Sequence, residues 1–418
     1  MSSQEVPQGY KKTKVGIVPE EWKEIILSSF VNEKVVYCND EEIDLGSLTI
    51  EKGVVPKPAR YNREHLVKDT NDAYKLIETN DFAYNPMNLR FGALALYKNK
   101  QQLKVSAYYN IFNVNEDIVN LDYIYAYLKS ERIMFYCNKM ATGSLEEKKR
   151  VHFKEFNKFI FPIPTIKEQQ KIANILTTWD NAVSKQNELI KAKEELKKGL
   201  MQKLLSGEVR FDEFNEEWKD KKIGNIGTTY NGLTGKTAED FINGNSNFIT
   251  YKNIFNNTRI KTSIFETVSI TTTEKQNKAK YGDIFFTISS ETPEEVGMSS
   301  VLLDDINNIY LNSFCFGYRL DNFDILLPEF ARFYFRSFGI RGKIMRLAQG
   351  STRFNLSKTE VMKIKIKLPL IQEQQKIAEV LTNADKEIDL LKNELEELKK
   401  QKKGLMQKLL TGEVRVKV

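Results

Sequence analysis

At 418 residues with 41% hydrophobic side chains, the chain is long enough for two to four domains, each able to bury its own core. A formal charge of +7 and a pI near 8.9 suit an anionic partner such as nucleic acid, and suit an ordinary basic protein equally well. Three scattered cysteines exclude a disulfide framework or a Cys-x-x-Cys metal site, and two histidines, His65 and His152, exclude a histidine-rich metal centre. No apolar run approaches membrane-spanning length and the N-terminus has no signal-like apolar core, so no membrane partner and a reducing cytoplasm are expected.

Pro19-Glu-Glu-Trp22 opens a first globular stretch. Its β-type runs, Val35–Tyr37 and Gly92–Tyr97, are broken by Asn, Asp, Gly and Pro, and a helical run follows near Leu121–Met140. Basic, amide and aromatic residues interleave in expected loops at Arg60, Tyr61, Asn62 and Arg63, at Arg90, and at Lys98 and Lys104. Arg, Asn and Gln suit bidentate contacts to base edges, while Lys, Ser and Thr suit phosphates, so these are candidate DNA-binding residues. Asn85-Pro-Met-Asn88 resembles the Asn-Pro-Pro-[Tyr/Phe] motif of amino-methyltransferases but lacks its second proline and its aromatic ring. The stretch closes with Ala141-Thr-Gly143-Ser144.

Pro162 and Pro164 stop a helix from starting earlier, and apolar spacing then predicts one from Ile166 to Ser206. It would span roughly 60 Å at 1.5 Å per residue, less if broken near Trp179–Asp180. Its seam is Ile172, Leu176, Trp179, Val183, Ile190, Leu200 and Leu204. Gln186, Lys193 and Lys197 interrupt that seam, and Leu189 and Leu196 offer a neighbouring stripe. Gly207 stands where a C-cap glycine belongs.

The second globular stretch opens with Asn215-Glu-Glu-Trp218 and closes with Ala348-Gln-Gly350-Ser351. It has β-type runs at Asp283–Ile288 and Ser313–Tyr318, a helical run near Leu327–Leu347, and DNA-binding candidates Lys252, Asn253, Arg259, Arg346, Ser351 and Arg353. Gly235-Lys-Thr237 is not a phosphate loop, because Tyr230 occupies the place of the required earlier glycine.

The chain then repeats itself. Pro164–Ala173 returns as Pro369–Ala378 and Gly199–Arg210 as Gly404–Arg415, both at an offset of 205 residues, with 24 of 48 positions identical from Ile163 and Leu368 onward. The second copy's seam of Ile377, Leu381, Ala384, Ile388, Leu391, Leu395, Leu398, Leu405 and Leu409 follows coiled-coil spacing. The segments are drawn at 1–162, 163–210, 211–367 and 368–418. The predicted class is α+β, with two globular modules, two long antiparallel coiled-coil helices and a pseudo-two-fold repeat. Identical residues off the seam are Gln169, Gln170, Lys171, Gln202 and Lys203, matched by Gln374, Gln375, Lys376, Gln407 and Lys408. Either the helices are only a spacer, or these residues bind two copies of one partner. The run Gly207–Trp218 is continuous, whereas its equivalent is divided between Gly412–Val418 and Val15–Trp22. The repeat therefore places the C-terminal residues beside the opening of the first module.

On the paired Pro-x-Ile-x-Glu-Gln-Gln-Lys-Ile-Ala starts, the paired Gly-Leu-Met-Gln-Lys-Leu-Leu-[Ser/Thr]-Gly-Glu-Val-Arg ends and the Glu-Glu-Trp openings, the chain resembles specificity (S) subunits of type I restriction–modification systems. Lys280–Phe285 and Gly350–Arg353 also match, and the resemblance covers nearly the whole chain. The first module departs from it, closing with Gly143-Ser-Leu-Glu-Glu147 before Lys148-Lys-Arg150. The resemblance implies two target recognition domains, each reading one half of a bipartite site in double-stranded DNA. It also implies helices that bind two modification (M) subunits, which use S-adenosylmethionine to methylate adenine. Restriction (R) subunits using ATP and magnesium would join that core. No catalytic, cofactor or metal residue is assigned to this chain. The rival readings are a coiled-coil scaffold without DNA readout and an autonomous DNA methyltransferase.

Overall fold

The computed structural model describes residues 6–57 and 73–417, so the candidates Arg60, Tyr61, Asn62 and Arg63 lie outside the described residues. The chain forms two compact units, Met1–Asn187 with Glu394–Val418, and Glu188–Asn393. These do not coincide with the four sequence segments, because the boundary falls inside each long helix. An amphipathic helix cannot bury its stripe alone, so each half-helix is counted with the module and the partner half-helix that cover it.

The two helices, Ile166–Ser206 and Ile371–Thr411, each run 41 residues, and the first passes through Trp179–Asp180 unbroken. Gly207 and Gly412 end them in the left-handed region, at φ 75° and 72°. Pairing is antiparallel within each unit. In the first, Gln186 donates to Glu394 at 3.1 Å while the earlier Asp180 meets the later Lys402. In the second, Glu194 pairs with Lys392 at 2.7 Å, Lys193 with Glu387 at 2.6 Å, and Lys197 with Asp385. Every seam residue named from the sequence is buried or half-buried. The polar interruptions in the first copy thus each face a carboxylate: Lys193 and Lys197 form ion pairs, and the neutral Gln186 donates a hydrogen bond. Leu189 and Leu196, at 41% and 57% exposure, face outward, so the neighbouring stripe is not the seam.

Each module is built on a four-stranded antiparallel sheet with the same order of equivalent strands. In the first unit the order is Val31–Glu33, Asn110–Val114, Phe82–Tyr84, Leu94–Leu96. In the second it is Gly227–Asn231, Cys315–Leu320, Ile284–Thr287, Ser299–Val301. The inner strands are apolar at successive residues because both faces are covered. Phe82, Tyr84 and Phe112 enter one core while Ala83, Ala95 and Ile111 enter another. Likewise Ile284, Phe286 and Phe316 face one core while Phe285 and Cys315 face the other. In each unit the first core includes seam residues of the long helices, so the sheet is fixed to the scaffold through one face.

Two further parts of the frame recur. Lys23–Ile26 pairs with Ile160–Ile163, and Lys219–Lys222 pairs with Lys365–Leu368, bringing each Glu-Glu-Trp beside the start of a long helix. Each expected helical run is two helices. The first is Leu121–Leu128 and Glu131–Met140, capped by the Asn120 and Ser130 side chains; the second is Pro328–Tyr334 and Phe338–Met345.

The inserts differ. The first module has a hairpin, Gly46–Thr49 with Gly53–Pro56, and the pair Tyr74–Ile77 with Leu103–Ser106. The second has a mixed sheet in which Ser246–Ile249 runs parallel to Ile309–Leu311, followed by the helix Tyr251–Asn256. Val35–Tyr37, expected as a strand, forms only one bridge from Tyr37 to Lys75 and is largely exposed. Its apolar residues are consecutive rather than alternating, with no second face to cover them. No helix among the described residues is long and apolar enough to cross a membrane.

Candidate nucleic-acid interface and subunit contacts

The identical Glu-Gln-Gln at each helix start forms a clasp. Gln169 accepts from the Asn120 N–H at 2.8 Å and donates to the Pro164 and Ile118 carbonyls at 3.0 and 3.4 Å. Gln374 repeats the arrangement, accepting from Leu327 N–H at 2.9 Å and donating to Pro369 and Ile325 at 3.0 and 2.8 Å. Both are buried, at 1% and 0% exposure, so they are not partner contacts. Their identity follows from the need to satisfy main-chain groups at the junction of helix and module. The preceding glutamates take the arginines that end the repeat: Arg210 donates to Glu373 at 2.9 and 2.7 Å, and Arg415 to Glu168 at 2.8 and 3.0 Å. This pairing was missed in the sequence, although identity of both members at one offset was its signal.

Arg415 also reaches Glu21 at 3.1 Å, Tyr10 donates to the Gly412 carbonyl at 2.9 Å, and Val416 packs on the first core. The C-terminal residues thus lie beside the first module's opening. They are held by side chains rather than by strand pairing. Only glycine fits at 412, where an added Cβ would lie 2.4 Å from Pro19.

Other identical residues differ between copies in their contacts. Gln170 accepts from Asn120, Lys376 pairs with Glu213, Gln407 donates to Glu131 at 2.7 Å, and Lys408 approaches Glu413 at 3.8 Å. Lys171, Gln202, Lys203 and Gln375 are exposed and remain the outward candidates.

Two of the base-reading candidates are structural. Arg90 is 8% exposed, donates to Glu146 at 2.7 Å and Asn138 at 3.3 Å, and stacks on Phe91. A buried guanidinium requires such partners, and it ties down the closing loop of the first module. Asn253 is fully buried; it accepts from Lys261 N–H at 3.0 Å and donates to the Lys261 carbonyl at 2.9 Å. Lys98 pairs with Asp122, and Lys104 donates to the Asp40 carbonyl at 2.7 Å. Arg259 meets Asp304 at 2.7 Å with its side chain 47% exposed. Lys252, Arg346, Ser351 and Arg353 are exposed, and the three cations carry no ion pair among the described residues.

The two closing loops are equivalent hairpin turns. Thr142 bridges Arg150 and Gln349 bridges Asn355, with Gly143 and Gly350 at φ 151° and 134°. The first loop is folded back through Glu146, whereas the second leaves Ser351 and Arg353 outward. Sequence reasoning also missed Arg336, a half-buried side chain that donates to the Ser299, Ile254, Phe255 and Asn257 carbonyls at 2.6–3.0 Å. Burial lowers its pKa to about 10.

The motif lookalikes are accounted for locally. Asn85-Pro-Met-Asn88 is a turn in which the Asn85 side chain accepts from Met87 N–H at 3.0 Å. Lys236 is sequestered by the Ser269 carbonyl at 2.5 Å and Glu274 at 2.8 Å. The hydrogen bond from Lys236, helped by Thr271 and Gln276, holds the Glu274 carboxyl near pKa 2. A depressed carboxylate pKa stabilises the fold above the unfolded value and loses that contribution as pH falls through the folded one. The protection of amides in residues 234–276, corrected for the intrinsic pH dependence of exchange, should therefore fall between about pH 4.5 and 2, and Glu274→Gln should remove that dependence, as hydrogen–deuterium exchange would read.

With this geometry in hand, likeness to known proteins is decisive. The model of the type I restriction modification DNA specificity domain matches residues 19–195 and 215–400. The chain belongs to this family. It is a DNA specificity subunit of a type I restriction–modification system, and each match begins at a Glu-Glu-Trp opening and runs along the following helix. The specificity subunit is 24% identical over 431 residues to the type I restriction enzyme MjaVIII specificity subunit of Methanocaldococcus jannaschii, covering 96% of this chain and 94% of that one. It is 26% identical to the putative MjaX specificity subunit of the same organism, covering 98% and 97%. Among solved structures, a chain from a study of type I R-M complex assembly and conformational transition aligns at TM-score 0.58 and 14% identity, covering 95% and 99%. The S subunit from M. genitalium aligns at 0.50 with 16% identity, covering 93% and 96%. The HsdS subunit from Thermoanaerobacter tengcongensis also aligns at 0.50 with 16% identity, covering 95% and 98%. These alignments establish the shared fold.

Proposed function

We propose that each unit of this specificity subunit reads one half of a bipartite site in double-stranded DNA. The helices would hold two modification subunits, and restriction subunits would join that core. Methyl transfer from S-adenosylmethionine to adenine, and ATP- and magnesium-dependent cleavage, would belong to those partners in the cytoplasm. The supporting observation is the pairing of one frame with two inserts. Sheet order, clasp and helix ends recur at equivalent positions, while the segments mounted on the frame share neither fold nor sequence. A spacer alone would need neither duplicated frame nor divergent inserts. Lys252, Arg259, Arg346 and Arg353, with the neutral Ser351, are the outward groups for DNA in the second module, whereas a protein-only scaffold would give these four cations no role.

A module exchange tests the reading. Replacing residues 25–160 with the corresponding module of another family member should change one half of the methylated sequence and preserve the other. A change in both halves would show that the modules do not read independently. Within the second module, losing an arginine that contacts a base should cost about 1–3 kcal/mol at one base pair. Losing a lysine on phosphate should weaken binding to all sequences and flatten its salt dependence.

A further inference from the structure

The two units differ at one equivalent place. In the first, the hairpin of Tyr10–Thr13 with Gly16–Pro19 covers the end of the long helix. Tyr10 donates to the Gly412 carbonyl at 2.9 Å, Pro19 packs on Gly412, and Arg132 donates to the Ile17 carbonyl at 3.4 Å. Beside Arg132, Glu131 engages Lys403 at 2.6 Å and Gln407 at 2.7 Å. In the second unit the chain runs directly from Gly207 to Trp218, with no strand between them to form such a hairpin.

Matched tyrosines set the register. Tyr127 donates to the Pro162 carbonyl at 3.3 Å, and Tyr334 to the Lys367 carbonyl at 2.6 Å. On this register Phe338 stands for Glu131, Gly339 for Arg132, Lys343 for Tyr136 and Lys367 for Pro162. The result is an open pocket of 480 Å³ whose lining includes Gly207, Trp218, Tyr334 and Ile340, and whose charged residues are Lys343, Lys367, Glu217 and the Glu373-paired Arg210. Next to it Phe338 is 87% exposed, an aromatic ring with no internal role.

We propose that this pocket docks a segment of one modification subunit that presents an aromatic side chain beside a carboxylate; the proposal rests on the partner reading above. The ring packs on Trp218, Ile340 and Phe338. A tyrosine there can donate to the Gly207 carbonyl as Tyr10 does to that of Gly412. Lys343, which also donates to the Lys365 carbonyl at 2.6 Å, and Lys367 replace two neutral residues and outnumber the single acid among the described lining residues, Glu217, so the occupant is acidic where the first unit's own hairpin carries Lys11, Lys12 and Lys14. The exposed Gln202 and Lys203 lie on the last turns of the same helix, contiguous with the face expected to hold that subunit. Because the counterpart is filled by the chain itself, the docking site exists once per specificity subunit. Two identical modification subunits therefore meet unequal ends of a duplicated scaffold.

Titrating the full chain with purified modification subunit, followed by native mass spectrometry, tests this. Two variants are informative: Phe338→Glu with Gly339→Arg, which copies the first unit, and Lys343→Glu with Lys367→Glu. The arginine fits the fold, since no atom lies within 4 Å of a Cβ added at Gly339. The unaltered chain should bind its two subunits in steps differing by about tenfold or more, and each variant should weaken only the tighter step by about tenfold. A photo-crosslinking benzoylphenylalanine replacing the exposed Phe338 should capture one segment of the modification subunit, once per chain. Two equal steps insensitive to both variants, or a crosslink to DNA instead, would overturn the docking site while leaving the partner reading intact. Failure of the unaltered chain to bind modification subunit at all would overturn both.

Discussion

Leu395→Asp should destabilise the first unit by at least about 4 kcal/mol and abolish assembly with modification subunits. Leu395 is 7% exposed in the helix seam. Its replacement forfeits roughly 1.5–3 kcal/mol of apolar burial and adds an uncompensated buried charge costing several kcal/mol. The same substitution at Leu189 or Leu196, on the exposed stripe, should stay within about 0.5 kcal/mol. Urea denaturation of the three variants measures the difference. Comparable losses at all three positions would mean that the seam has been assigned to the wrong face.

Asp283→Ala should cost about 3 kcal/mol and do so in the second unit. Asp283 is 1% exposed and accepts from Tyr230 OH at 2.6 Å, from Arg319 at 2.8 and 2.6 Å, and from Lys280 N–H at 2.8 Å. Removing the carboxylate leaves the Tyr230 phenol without its acceptor and the Arg319 guanidinium with the Lys278 carbonyl alone, and losses of about 3–5 kcal/mol are typical for such pairs. The lower end applies because the Arg319 side chain is 36% exposed. Burial, with the neighbouring Asp283 charge, pushes the Tyr230 hydroxyl far above its ordinary range, so it remains a donor at every pH where the protein folds. Asp81 is the counterpart, held by Lys34 at 2.7 Å at the start of the equivalent strand. In methylation assays Asp283→Ala should impair recognition of one half-site, and Asp81→Ala the other.

The scaffold was legible in the sequence because its signals are periodic and duplicated. Seam leucines at coiled-coil spacing, C-cap glycines and a constant 205-residue offset each report on local geometry that neighbouring residues determine. The inserts were less legible, since the parallel pairing of Ser246–Ile249 with Ile309–Leu311 joins segments some sixty residues apart and leaves no local trace. Surface assignments from identity alone misplaced Gln169 and Gln374. A glutamine that satisfies main-chain groups at a helix start is retained as firmly as one that binds a partner, and only burial separates the two. Arg90 and Asn253 misled in the same way: donors suited to base edges are equally suited to buried carbonyls and carboxylates.

The most direct measurement is sequencing of modified adenines in DNA exposed to the modification subunits together with this chain. It should be repeated with the chain omitted and with the residue 25–160 exchange. Modification at one bipartite sequence, absent without the chain and changed in one half by the exchange, is the predicted result. Modification that persists without this chain, or a recognised sequence that is continuous or unaffected by the exchange, would contradict the assignment of one half-site to each unit.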